Sequence, residues 1–381
     1  MAFSPTPRQA RRFFMLGTAA FALAVAGCQT GPRGPRPWPG AIEPPVPIEG
    51  ERNMVAVIVP LTGSEGPVGT SISNAANLAL ADTGEKSIRI TVYNSAGPGG
   101  AAAATTQAIA EGNRLILGPL LADDVRAAAP IARRAGVPVL AFSNDDGVAG
   151  NGVYILGFTP DQSIGRVVEH ARSNGAKSFG ALVPTGLYGQ RAAQAMLSAV
   201  RKGGGRVTSV ETFNRSATAV AAAARRLNAK GAYDAVLIGD SGRIAALAAP
   251  VLKVGPRRMG TELWANDKAL GNTAALRGAW YAAAPDAQFS RLVTRYRARY
   301  GKTPYRLASL GYDAVLLAVR SARSWPIGRP FPARSLIDQD GFSGVDGNFR
   351  LGREGVAERL LEVRQVTATG STTVSPAGRA F

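Results

Sequence analysis

The chain has 381 residues, 46% of them hydrophobic and 18% charged, with a formal net charge of +18. That length suits two ordinary domains, and the composition suits a globular protein. A single cysteine excludes a disulfide framework, and a single histidine, His170, argues against a histidine-built metal centre.

The chain begins with a leader. Arg8, Arg11 and Arg12 precede an apolar run from Phe13 to Val25, and the first 27 residues hold no acid, so the remainder carries +15. The run is too short to cross a membrane and fits the hydrophobic region of an export signal. Val25-Ala26-Gly27-Cys28 resembles the lipobox of bacterial lipoproteins, in which the cysteine is lipidated and becomes the first residue. A generic secretory signal with an incidental cysteine is the plainer alternative. Arg11-Arg12-Phe13-Phe14 also resembles a twin-arginine motif, so Sec and Tat export both stay open. Gln29 stands where an aspartate would favour the inner membrane. The lipobox resemblance therefore implies the periplasmic side of the outer membrane of a Gram-negative bacterium. Residues 31–50 hold seven prolines and form no helix or central strand. Such a segment behaves as a stiff polyproline spacer or as a disordered leader.

From residue 51 a regular rhythm starts. Met54 to Val59 is a β-branched first strand ending in Pro60-Leu61-Thr62-Gly63, and a helix is expected from Val68 to Ala81. Ser87 to Tyr93 alternates as a second strand, and Ala101 to Ala110 reads as an alanine-rich helix. Leu115 to Leu117 is a short, wholly apolar run, the mark of a buried parallel strand. Gly118-Pro119 ends it, Asp123 and Asp124 open a helix that Gly136 closes, and Val137 to Phe142 is the next strand. Strands follow at 153–158, 179–183, 207–213 and 235–238, with helices at 159–172, 188–202, 217–228 and 244–254. Leu263-Trp264-Ala265 and Trp280-Tyr281-Ala282 are read as short strands. Helices at 289–300 and 307–319 come next, then a glycine-rich turn and strand at 341–349 and a last strand at 360–366. Repeated βα units favour parallel, doubly wound sheets, whose ligands sit at the ends of the strands.

Several segments in this order resemble the type I periplasmic binding proteins, notably the leucine/isoleucine/valine-binding family. They are Val57-Ile58-Val59-Pro60-Leu61-Thr62-Gly63, Leu117-Gly118-Pro119, Gly136-Val137-Pro138-Val139, Tyr188-Gly189, Leu310-Gly311-Tyr312-Asp313-Ala314 and Phe342-Ser343-Gly344-Val345-Asp346-Gly347. The resemblance implies an α/β fold of two doubly wound parallel-sheet lobes with a cleft between them. Its expected divisions are a signal at 1–27, a spacer at 28–50 and a tail at 374–381. The first lobe is expected at 51–162 plus 285–326, and the second at 163–284 plus 327–373. With a lipid anchor at Cys28 and a proline-rich leader, the chain most resembles the penicillin-binding protein activators, non-enzymatic lipoproteins that stimulate peptidoglycan synthases.

The same resemblance implies where a ligand would bind. Ser143 and Asp145 stand on a loop that contacts the ligand carboxylate, and Tyr188 matches an aromatic that closes over it. Other positions depart from the family. Ala122 and Asp123 replace a serine-rich turn, Asp240-Ser241 replaces an aromatic, and Leu263 falls where an acid would meet the ligand ammonium. A slip in register would bring Asp267 or Glu262 there instead. A buried ammonium without a carboxylate partner costs several kcal/mol, so the cleft is expected not to be an ordinary amino-acid clamp. The expected partner is then a peptidoglycan synthase. The alternative is the substrate-binding component of a branched-chain amino acid transporter, with an ABC permease as partner and a small amino-acid-like ligand.

No residue pattern supports an enzyme, a cofactor or a metal. Gly239-Asp240-Ser241-Gly242 spells a serine-protease motif, but a histidine base must accompany it. Ser241 follows a strand and opens a helix, which suits an N-cap. Arg291, Arg295, Arg299, Lys302 and Arg306 form a basic stripe with no acid between 287 and 312. A solvated helix face is its plainest reading, a surface for an acidic partner the sharper one. An exported protein gives it no nucleic acid to meet.

Overall fold

The computed structural model describes residues 52–265, 267 and 269–381; the signal, Cys28 and the spacer lie outside the described residues. The first lobe alternates β1 (Asn53–Val59), α1 (Gly66–Thr83), β2 (Ile88–Asn94), α2 (Gly100–Ala110), β3 (Leu115–Leu117), α3 (Ala122–Arg134), β4 (Val139–Ala141) and β5 (Val153–Ile155). These strands make a five-stranded parallel sheet in the order β2-β1-β3-β4-β5. β1 is apolar from Met54 to Val59 because both its faces are covered. Val55, Val57 and Val59 pack into one core layer, and Ala56 and Ile58 into the other.

The chain then crosses to the second lobe through α4 (Pro160–Ser173), β6 (Ser178–Pro184), α5 (Leu187–Lys202), β7 (Arg206–Phe213), α6 (Ala217–Ala229), β8 (Ala235–Ile238), α7 (Gly242–Ala248), β9 (Arg257–Gly260) and β10 (Trp280–Ala283). β8 repeats the two-faced burial, with Ala235 and Leu237 in one layer and Val236 and Ile238 in the other. α7 is shorter than expected. Pro250 has no N–H to continue the helix ladder, and the chain turns after Ala249. The expected strand at 263–265 is a 3-10 turn over Glu262–Trp264, and the strand of this segment is β9, which ends at Gly260.

Next the chain returns to the first lobe. α8 (Ala287–Tyr300) and α9 (Ala308–Ala322) pack on it, with Leu292, Tyr296, Leu310, Ala314, Val315 and Ala318 in the same core as β1. The α1–α9 contact explains Gly311. A Cβ there would sit 2.3 Å from the carbonyl oxygen of Ile72, so only glycine lets the helices approach this closely.

The last stretch differs from expectation. β11 (Phe342–Gly344), β12 (Gly347–Leu351) and β13 (Ala357–Arg359) form a separate antiparallel sheet. Its Phe342, Phe349, Leu351 and Ala357, with Phe331 and Leu336 before them, are buried in the first lobe's core. Of residues 327–373, read as second lobe, only β14 (Glu362–Thr367) and the start of β15 (Gly370–Ser375) join the second sheet. Both strands run antiparallel at one edge of β15-β14-β10-β9-β8-β6-β7. β15 also takes up the beginning of the expected tail. Both lobes lie within one compact unit, Val46–Phe381.

Candidate functional site

Strand ends from both lobes meet around a cavity of about 310 Å³. The first lobe contributes Glu65 at the N-cap of α1, Leu120 and Leu121 after β3, and Phe142 and Asn144 after β4. The second contributes Glu262, Leu263 and Ala265 from the turn after β9, with Ala283 and Ala284 at the end of β10. Phe158 lines it from a segment joining the lobes, and Arg306 and Leu307 from the loop between α8 and α9. The lining is mainly apolar with a few polar groups, the usual make-up of a small-molecule site.

Glu262 is the central polar group. The Ser163 hydroxyl donates to its Oε2, and the Tyr188 hydroxyl donates to its Oε1 at 3.3 Å. Burial pushes its carboxyl up to about 7, against the pull of those hydroxyls. Tyr188 also shares a hydrogen bond with Thr261 Oγ1 at 3.2 Å. Burial first, and the Glu262 charge second, raise its hydroxyl well above the ordinary tyrosine range. Gly189 places Tyr188. A Cβ on Gly189 would lie 1.6 Å from the Pro184 carbonyl oxygen, so glycine lets the first turn of α5 sit directly on the end of β6.

The sequence-derived candidates divide. Leu263 lines the cavity, and Tyr188 reaches it through Glu262. Ser143 is buried, and its hydroxyl accepts the Asp145 N–H at 3.1 Å. Asp145 is held by Arg126 of its own lobe and by Arg191 of α5 across the cleft, the latter at 2.9 Å. It therefore ties the lobes together, and its neighbour Asn144 is the residue that faces the cavity. Ala122 and Asp123 begin α3 outside the lining, with the Asp123 carboxylate exposed and paired to Arg126 at 2.7 Å. Asp240 is also buried outside the lining, paired with Arg215 at 2.7 Å. Ser241 occupies the N-cap position of α7, but its side chain makes no capping hydrogen bond.

Asp267 accepts the Ala269 N–H at 2.9 Å and packs against Gly242. The acid expected to be lost is present one residue earlier. Thr261 Oγ1 accepts the Leu263 N–H at 3.4 Å and starts the 3-10 turn. Trp264 then points inward, its Nε1 donating to the Asp240 carbonyl at 2.9 Å. In that turn Glu262 and Leu263 both reach the cavity, so the reading of a missing acid is corrected. The only sequence signal for it was the Thr-Glu pair just after a strand.

The basic stripe of α8 is partly consumed by its neighbours. Arg295 pairs with Asp82 and donates to the Tyr312 hydroxyl at 3.3 Å, and Arg297 donates to Thr303 Oγ1. Arg306 is turned inward to Asp286 and Asp346. His170 stacks edge-on against Trp280 with centroids 4.6 Å apart, and burial lowers its pKa. Among the described residues no group of three or more metal-ligating side chains converges, and no helix is long and apolar enough to cross a membrane.

A family model described as "Periplasmic binding protein" matches residues 54–371. An uncharacterised protein of Rickettsia prowazekii is 22% identical over 174 residues, 46% of this chain, so the match spans about half, 47%, of that relative's length. Among solved structures, a leucine-binding protein from Thermotoga maritima is 21% identical, with a TM-score of 0.66 over 86% of this chain and 99% of the other. A branched-chain amino acid transporter substrate-binding protein from Streptococcus pneumoniae, in complex with isoleucine, is 19% identical, with a TM-score of 0.64 over 85% and 100%. A solute-binding protein of an ABC transporter from Rhodopseudomonas palustris, in complex with 3,4-dihydroxybenzoic acid, is 20% identical, with a TM-score of 0.68 over 87% and 97%.

Proposed function

The chain belongs to the periplasmic binding protein family, and from that membership we propose that it is a non-enzymatic solute receptor. It closes its lobes over a small, mainly apolar solute outside the cytoplasm and presents the closed form to a membrane permease. The observation that carries this reading is the cavity of about 310 Å³ lined from both lobes, with the Glu262 carboxyl facing into it. The reading of a cleft that has lost its ligand and works by touching a peptidoglycan synthase rests on a missing acid at Leu263 and a missing aromatic at Asp240-Ser241, beside a spacer and an anchor. Glu262 removes the first of these grounds. An anchor at Cys28 remains compatible with a receptor, since a tethered receptor stays near its permease.

Calorimetry on the purified full-length chain tests the proposal. The panel holds leucine, isoleucine and valine, small carboxylic acids such as 3,4-dihydroxybenzoate, and small aliphatic amines. The expected result is that at least one solute binds at micromolar concentration, about −8 kcal/mol, and shrinks the radius of gyration in X-ray scattering. Silence across the panel, together with stimulation of a peptidoglycan synthase, would replace this reading with the activator one.

A further inference from the structure

We propose that the cleft selects a small apolar solute bearing a positive charge and no carboxylate, in chemical class an aliphatic amine, with its ammonium held between Glu65 and Glu262. The inference rests on the solute-receptor reading above. The cavity supplies the site, and the charges facing it decide the sign of the ligand.

Glu262, on the second lobe's wall, has only neutral partners, the Ser163 and Tyr188 hydroxyls. Glu65, on the first lobe's wall, contacts the hydroxyl of Ser64 at 3.5 Å. Arg306 is the one cation of the lining among the described residues, and it is already neutralised. Its guanidinium pairs with Asp286 at 3.2 Å and with Asp346 at 2.5 Å, and it lies 4.1 Å over the Phe289 ring. The helix N-termini at the cleft give a carboxylate no better reception. Glu65 is itself the N-cap of α1, and Asp123 and Asp124 stand in the first turn of α3, so fixed negative charge already meets these two dipoles on the first lobe.

Among the described residues an entering carboxylate therefore meets two acids and no free cation, whereas an ammonium finds two acids without a counter-charge. The remaining lining, including Leu120, Phe142 and Leu263, suits an alkyl body. Because burial holds Glu262 near its midpoint at neutral pH, binding an ammonium draws the proton off it. The other ionisable groups around it are Tyr188 and Asp240 on its own lobe, with Glu65 and Arg306 across the cavity.

The test is calorimetry on the full-length chain with three probes sharing one skeleton: 3-methylbutan-1-amine, leucine and 4-methylpentanoate. The amine is expected to bind about tenfold or more tighter than leucine, with no detectable binding of the acid. Its affinity should fall by about tenfold in all as the pH drops below 7, and Glu262→Gln should lose about tenfold and flatten that profile. Should the variant fail to fold, the pH profile of the unmodified chain still decides. The inference is overturned if leucine or 4-methylpentanoate matches the amine, or if the amine does not bind. Binding of either carboxylate with compaction leaves the receptor reading intact, whereas silence of these probes and of the wider panel removes both.

Discussion

Glu262 and Asp313 are both carboxyls that burial pushes upward, and the comparison between them separates a binding site from an internal strut. Asp313 lies on the buried face of α9 beside Asp346, whose charge raises it further. Its Oδ1 accepts the Val345 N–H at 2.7 Å. Asp346 receives the Ser309 hydroxyl and the Arg306 guanidinium. Arg359 is buried alongside, 4.4 Å over Phe158 and 4.9 Å over Phe349, where burial lowers its pKa and both carboxylates work against that shift. That cluster brings its own cations, and its two carboxylates are buried. Glu262 has hydroxyls alone and opens on a cavity. Burial by itself therefore does not mark a functional carboxyl; a missing counter-charge beside open space does.

The largest effect should come from this buried cluster. Asp346→Ala leaves Arg306 without its inner partner and Arg359 with Asp313 as the one remaining carboxylate of the pair. Urea unfolding should show a loss of about 3–5 kcal/mol. A loss below about 1 kcal/mol would break the comparison, because the cluster would then not be a strut.

Glu262→Gln should act in the opposite sense. The carboxyl sits near 4.5 when unfolded and at about 7 when folded. Between those values the folded chain holds a proton that the unfolded chain has released, so stability falls as pH rises through that window. The loss is on the order of 3 kcal/mol by pH 7, present in the unmodified chain and absent from Glu262→Gln. Denaturation curves at pH 4.5 and 7.5 for both proteins measure it. Parallel pH dependences would show that the Glu262 carboxyl is not desolvated.

Much of the fold was legible in the sequence, because strands buried on both faces are written as short, uniform apolar runs. Met54 to Val59, Leu115 to Leu117 and Ala235 to Ile238 are of this kind, and each lies where the run places it. The end of the chain was not legible. β11 to β13 carry ordinary strand patterns, and nothing local tells Phe342 and Phe349 which lobe's core they will enter. The site failed for a related reason. Which of Glu262 and Leu263 reaches the cavity depends on a 3-10 turn capped by Thr261 and pinned by Trp264, not on strand alternation. Asp145 reads as a polar loop residue facing a ligand, and only the tertiary structure brings Arg191 across the cleft to take it.

That last contact gives the smallest and most selective prediction. Asp145 holds two arginines, Arg126 on its own lobe and Arg191 on the other. Both arginine side chains are partly exposed, so removing either one should cost only about 1 kcal/mol of stability, the Asp145 carboxylate keeping one partner each time. Their effects on closure should differ. Arg191→Ala deletes a bond that exists only while the lobes are together, so it shifts the balance toward the open form and speeds solute release a few-fold. Arg126→Ala removes a bond within one lobe and should leave release unchanged. Stopped-flow displacement of bound solute from the two variants compares them directly. Equal release rates would mean that Asp145 organises its own loop and does not latch the cleft.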